Sequence, residues 1–390
     1  MLACLALACS YATAARAEAA APKAAGEIVI GTHVDLSGPL SSWGASVRNG
    51  LTMAFEEANE MGGIGGRMLR LVVRDDTYDP REAARAVRTL ADDDHVFAIL
   101  SPLGTPTMHA AIDEALSRDV LYLFPLTASE EAFFPPSRLK FSLTPSHAME
   151  VQEGLRRILN ARGATKVGIL ATSDEFGRAV KQGATNELQR RGTAFAAEAV
   201  FSSSDVRLDD ALDALHRQGV ELVVLGTEAG QALQVMRAAA GMRWKPMFLC
   251  SSACYESEFA TLAGNDAEGL YSVGQVPIPY PEDPKLGTWV HRYEAEFSTV
   301  ANIHALTAYR SAHLFLTVLR QAGPAPSQAQ FAKVLETRGT WTDPALGGLP
   351  AEFSSTDHLG SHTSLLAQIR RGRWTVLTDP VAPPPAQRSK

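Results

Sequence analysis

The stretch IVIGTHVDLSGPLSSWGASVRNGLTMAFEEANE, residues 28–60, sets the pattern that the rest of the chain repeats. Ile28 to Val34 is an apolar run rich in β-branched residues, the composition of a strand buried on both faces. A Gly/Ser/Pro loop follows. From about Ala45 to Glu60, apolar residues recur at helical spacing, at Val47, Leu51, Ala54, Phe55 and Ala58. Met68 to Val73 is the next strand, and Asp79-Pro80-Arg81-Glu82 opens the next helix with Asp as N-cap, Pro at the first helical position and Glu three residues after the cap. Val96 to Leu100 and Val120 to Phe124 continue as strands, with a helix between them near Thr107 to Leu116.

A second series begins after Ser142-Leu143-Thr144-Pro145. Its helices are expected near 148–161, 177–191, 207–218 and 230–240, and its strands near 167–170, 195–200, 222–225, 247–250 and 269–276. Pro277-Ile278-Pro279-Tyr280-Pro281 reads as a connector, followed by helices near 284–297, 303–321 and 327–337 and short strands near 365–369 and 374–377. Two consecutive β/α sets of similar size predict an α/β protein with two mostly parallel sheets, each covered by helices on both faces.

The length and composition agree. At roughly 150 residues per domain, 390 residues hold two or three domains. The chain is 46% apolar and 20% charged, with ordinary Gly and Pro content, which excludes collagen-like, coiled-coil and wholly disordered classes. Lys plus Arg is 36 against 43 Asp plus Glu, a net charge of −7 that offers no footprint for nucleic acid or an anionic membrane.

Residues 1–17, MLACLALACSYATAARA, read as a secretory signal peptide cleaved after Ala17. Its apolar stretch is shorter than the roughly 20 residues a membrane-spanning helix needs. A lipid-anchored alternative would use Cys9, but Ala6 stands where such sites prefer a larger aliphatic residue. An Ala-rich leader (18–26) and a Pro-rich tail (381–390) lie outside the fold. Cleavage leaves Cys250 and Cys254, whose three-residue gap makes a bridge geometrically demanding; they read as structural or free thiols.

In open parallel sheets, ligands bind beyond the carboxyl ends of the strands. The loops there are rich in small polar residues: Ser37 to Gly44, Ser101 to Thr107, Pro125 to Ser129, Thr172 to Gly177, Gly226 to Gly230 and Ser251 to Tyr255. Each hydroxyl taken alone is explained by helix capping, but several converging on one cleft could hold a carboxylate with the free N–H groups of helix N-termini. Features that suggest other chemistry have plainer explanations. Gly62-Gly63-Ile64-Gly65-Gly66 follows a helix and precedes a strand, the reverse of a dinucleotide loop, and reads as a helix end and turn. Asp79 in Asp75-Asp76-Thr77-Tyr78-Asp79 is spoken for as a cap, and Asp92-Asp93-Asp94 reads as a solvated turn. His33, inside a strand, reads as a satisfied interior imidazole. With no nucleophile elbow and no metal-protease His pair, neither an enzyme nor a cofactor is implied.

The run Gly31 to Pro39 with Trp43-Gly44, then Asn49-Gly50, Asn59 to Arg67, Asp75-Asp76, Asp79-Pro80, Gly104-Thr105, Asp174 to Gly177, Ala263 to Gly269 and Tyr309 resembles, in order and spacing, the Leu/Ile/Val-binding family of periplasmic solute-binding proteins over about residues 27–378. The resemblance implies two Rossmann-like lobes joined by three hinge crossovers, with residues 27–145 and 278–355 in the first lobe and 146–277 and 356–380 in the second. It further implies a small-molecule ligand held in the cleft, no catalysis, a monomer in the periplasm and delivery to an ABC permease of the inner membrane. By the same resemblance, Thr105, Thr127 and Ser129 match hydroxyls that hold a ligand carboxylate, and Trp43 and Phe176 match residues that pack on the ligand, with Tyr255 a looser match. Where amino-acid binders of this kind carry a carboxylate for the ligand ammonium, this chain has Ser252. Glu228 or Glu175 could take that role, or the ligand could lack an ammonium. A ligand-sensing receptor of the same fold and an exported α/β enzyme are the alternatives to a transport role.

Overall fold

The computed structural model describes residues 26–201 and 208–377; the expected signal peptide and Pro-rich tail lie outside them. The first sheet consists of β1 (Ile28–Val34), β2 (Leu69–Asp75), β3 (Ala98–Leu100), β4 (Leu121–Leu123) and β5 (Lys140–Phe141), ordered β2-β1-β3-β4-β5 with every neighbour parallel. The second contains β6 (Val167–Thr172), β7 (Ala197–Phe201), β8 (Leu222–Gly226), β9 (Met247–Cys250), β10 (Tyr271–Gly274), β11 (Leu365–Arg370) and β12 (Arg373–Val376), ordered β12-β11-β10-β9-β8-β6-β7. Only its last two strands run antiparallel to their neighbours.

Alternating side chains along each strand serve two cores, as the period of two requires. In the first sheet, Ala98, Leu100, Leu121 and Leu123 join the core built with α1 (Ser41–Glu60), α9 (Gly287–Phe297), α10 (Ile303–Ala322) and α11 (Gln328–Thr337). Ile99 and Tyr122 face the other way, toward α2 (Pro80–Asp92) and α3 (Thr105–Ser117). In the second sheet, Ile169, Val224 and Leu249 pack on α4 (His147–Arg162) and α5 (Glu175–Arg190). Leu170, Leu225 and Cys250 pack on α6 (Leu208–Arg217), α7 (Ala229–Gly241) and α8 (Ser257–Ala263). The two-lobed α/β architecture expected from the repeat is the one observed. The two-residue β5 and the short α8 are too brief to carry a period and were not expected.

The chain crosses between the lobes three times, and the crossings are tied together. Ser142 donates its N–H to His358 O at 2.9 Å and accepts from Gly360 N at 2.8 Å. The Gln275 carbonyl accepts from Leu349 N at 3.1 Å, and the Gln275 amide donates to Ser364 Oγ at 3.2 Å. Ile303 packs against the cores of both lobes.

One expectation is corrected here. Cys250 and Cys254 form a disulfide with their Cα atoms 6.1 Å apart. Cys250 ends β9 and the chain then turns through a 3-10 segment, Ser252–Cys254, which folds the second cysteine back onto the first. That turn overcomes the short gap, because it brings the Cα atoms into the range a disulfide spans.

The loop after β1 is locked by a buried carboxylate. Asp35 accepts from the N–H groups of Ser37 (3.1 Å), Gly38 (2.5 Å) and Leu40 (2.6 Å). Gly44 in the first turn of α1 lies so close that a Cβ there would sit 1.8 Å from the Asp35 carbonyl oxygen. Gly44→Ala is therefore expected to destabilise the protein by about 1–3 kcal/mol in urea unfolding, the cost of overpacking a rigid contact. Gly241→Ala, at the open end of α7 where a Cβ meets nothing within 4 Å, is the control and is expected to be neutral or stabilising by up to about 0.5 kcal/mol.

Candidate functional site

The carboxyl ends of the two sets of parallel strands face each other, and the polar loops collect between them. On the first lobe, Thr105 begins α3 after β3 and Thr127 follows β4; their hydroxyls meet at 2.7 Å. The two adjacent loops thereby present one shared hydroxyl pair. Ser129 lies beside them with its hydroxyl 2.8 Å from His109 Nε2. Gly104 adopts φ +108°, and a Cβ there would strike the ring of Tyr78. The positive φ and the missing side chain together let Tyr78 lie against the Gly104 backbone.

On the second lobe, Ser252 follows β9 and donates its hydroxyl to Glu150 Oε2 at 2.7 Å. Glu150, in the first turn of α4, is fully buried; its Oε2 lies 3.3 Å from His147 Nδ1, and its Oε1 has no partner among the described residues. Phe176, in the first turn of α5, meets the His147 ring edge-on at 4.8 Å. The His147 N–H donates to the Ala128 carbonyl of the first lobe at 3.0 Å, tying this group to the Thr127 loop.

Glu228 occupies the N-cap position of α7 but makes no capping hydrogen bond. Among the described residues its carboxyl has no hydrogen-bond or ion-pair partner, while Asp174, the neighbouring cap, is committed to Gly177 N and Thr172 Oγ1. Desolvation raises the pKa of Glu228 and Asp174 adds to the rise, with His147 opposing it. The side chain is exposed to solvent. Its charge reaches across to Tyr78, whose pKa is raised by desolvation and then by Glu228, Asp76 and Asp35.

Trp43, in the first turn of α1, stacks on His304 at 4.4 Å with the rings 21° apart. His304 Nε2 in turn lies 3.6 Å from Glu256 Oε1 of the second lobe. Burial, with Glu258 adding to it, pushes Glu256 up to about 8, and burial alone pushes His304 down to about 3. At neutral pH the pair is an uncharged carboxyl beside an uncharged imidazole, the form that burial favours.

Of the residues singled out in the sequence, Thr105 and Thr127 are brought into contact, Ser252 faces Glu150, and Trp43, Phe176 and Glu228 stand around the same cleft. Glu175 is exposed at the start of α5, away from any described partner. Tyr255 is corrected: it is 1% exposed, packed on Gly274 and Trp374 in the core of the second lobe, because the disulfide turn directs it inward. Tyr78, His147, Glu150, Glu256 and His304 were missed. Tyr78 was within reach, since it sits in the Asp75–Asp79 stretch whose last residue caps α2. The other four lie in helices or after a turn and carry no local signature.

A family model described as periplasmic binding protein matches residues 27–373. The leucine-, isoleucine-, valine-, threonine- and alanine-binding protein of Pseudomonas aeruginosa is 22% identical over 302 residues, 77% of this chain and 80% of that protein. A possible leucine/isoleucine/valine-binding protein from Rhodopirellula baltica superposes with a TM-score of 0.76 at 21% identity, over 92% of this chain and 98% of that one. A fatty acid ABC transporter substrate-binding protein from Thermomonospora curvata also reaches 0.76, at 19% identity over 90% and 91%.

The Glu256–His304 pair predicts a pH profile. Glu256 is raised from 4.5 to about 8, so its contribution to stability is full below pH 4.5 and lost as pH rises through 8. His304 is lowered from 6.5 to about 3, so its contribution is full above pH 6.5 and lost as pH falls through 3. Between 4.5 and 6.5 the two slopes cancel. Urea unfolding is expected to show a plateau there and a decline on each side, and Glu256→Gln should abolish the alkaline decline while keeping the acid one.

Proposed function

This chain belongs to the periplasmic binding protein family, and from that premise we propose that it captures a small α-amino acid, or a closely related carboxylate, between its lobes and delivers it to an ABC permease in the inner membrane. In this reading the lobes comprise residues 27–145 with 278–355 and 146–277 with 356–380, and the protein works as a monomer in the periplasm. The names of relatives and structural neighbours, branched-chain amino-acid binders among them, support the ligand class.

The observation that carries the reading is the charge asymmetry of the cleft. The first lobe offers the Thr105–Thr127 hydroxyl pair and the N-terminus of α3, donors suited to a carboxylate. The second lobe offers carboxyls: Glu228 without a partner, and Glu150 behind Ser252 with one oxygen free. A ligand with a carboxylate at one end and an ammonium at the other satisfies both faces. Glu228 is the anchor for the ammonium, in place of the carboxylate that Ser252 lacks, and Ser252 backed by Glu150 completes the polar wall. Trp43 and Phe176 supply apolar surface for the ligand's side chain, and Glu175, exposed at the start of α5, is the alternative ammonium anchor.

A second reading, an organic acid without an amino group, is favoured by Ser252 and by the fatty-acid transport neighbour. A thermal-shift panel pairing α-amino acids with their des-amino counterparts separates the two. The amino acids are expected to raise the unfolding midpoint in proportion to RT ln(1 + [L]/Kd). Glu228→Gln should weaken them roughly 10- to 100-fold, the value of one charge-assisted hydrogen bond. If des-amino acids bind as well as their amino counterparts, or Glu228→Gln leaves affinity unchanged, the ammonium anchor is wrong.

A further inference from the structure

The three crossovers line a small, partly open cavity of about 20 Å³, bounded among others by Thr144, Gln275, Thr307, Arg310, Leu349 and Ser361. Roughly 10–15 Å³ is enough to seat one water-sized particle. Arg310, on α10, is 95% buried by its 5% residual exposure. Its guanidinium lies over Gly348, where a Cβ would come within 2.5 Å, and one nitrogen donates to the Leu349 carbonyl at 3.1 Å. Trp341 presents its ring at 5.1 Å. Nε has no partner, and no carboxylate lies within 4 Å of the guanidinium among the described residues.

The neighbouring charges do not neutralise it. Asp343 acts on Arg310 through space, but its carboxylate accepts from the amides of Ala345 and Leu346 and lies 3.6 Å from His313 Nδ1. Glu57 is occupied by Arg292 at 2.7 Å, the Tyr309 hydroxyl at 2.6 Å and His313. Burial opposes protonation of His313, yet its contacts with Asp343 and Glu57 outweigh that and raise its pKa. Asp343 and Glu57 are thus held by Arg292, His313, the Tyr309 hydroxyl and backbone amides, and neither places an oxygen on the Arg310 guanidinium. A buried cation without a counter-ion is costly.

We propose that the hinge cavity is a binding site for one small monovalent anion of the halide class, held by the Arg310 guanidinium with the hydroxyls of Thr307 and Ser361. Because all three crossovers line the cavity, an ion there bears on the hinge about which the lobes close. Polyatomic anions such as sulfate and gluconate are too large for it.

The direct test is diffraction from crystals of the full chain soaked in sodium bromide, with data collected at the bromine edge. An anomalous peak within about 4 Å of Arg310 Nε is expected; a cavity that holds only water overturns the proposal. In solution, sodium chloride is expected to raise the unfolding midpoint by about 3 °C over sodium gluconate at equal ionic strength. Arg310→Gln should remove that difference, and Thr307→Val, a milder change should the first fail to fold, should reduce it. An equal chloride response in a folded Arg310→Gln variant counts against the site. None of these readouts depends on the organic ligand, so failure here leaves the transport reading untouched.

Discussion

Backbone pairing among the three crossovers is the constraint on which the rest depends. Parallel strands gather their strand-to-helix loops at one edge of each sheet. Two such edges form a cleft only if the sheets are held with those edges facing. The hydrogen bonds of Ser142 with the segment 358–360, and of Gln275 with Leu349 and Ser364, provide that hold with few residues. A joint built this way can bend while each lobe keeps its own core, and contacts between the lobes elsewhere include the Glu256–His304 pair and Ile303, which packs on both cores.

The cleft assigns different chemistry to its two walls. The first wall is built from hydroxyls and helix N-termini, and three of its carboxylates are committed within the lobe: Asp35 to the loop after β1, Asp76 to His33 at 2.8 Å, Asp79 to the cap of α2. The second wall leaves carboxyls uncommitted. In the proposed reading this division sets the polarity of the ligand more strongly than any single contact does, because each unpaired group at a closing interface must find a partner or be desolvated at a cost.

Much of the framework was legible in the sequence. β1 spans the residues the apolar run marked, Asp79 caps α2 with Pro80 at its first position, and His33 is a satisfied interior imidazole, bonded to Asp76 and to the Tyr122 hydroxyl at 2.8 Å. These features are local or follow from burial, and a pattern within ten residues reveals them. The disulfide was misread, since separation along the chain says little about a turn that folds one cysteine back onto the other. Tyr255 was misread with it. Glu150 and His147 were missed because they belong to the start of a helix that carries no motif, and only the position of α4 beneath β9 brings Glu150 to Ser252.

The sequence by itself determined the fold class, the alternation of strands and helices and the two-lobed architecture, because hydrophobic period and turn chemistry are written residue by residue. Only the tertiary structure decided which polar groups in those loops remain free. Whether Glu228 is spent on a cap, whether Glu150 lies behind Ser252, and whether Arg310 has a counter-ion depend on neighbours tens to hundreds of residues away, which only the folded chain brings together.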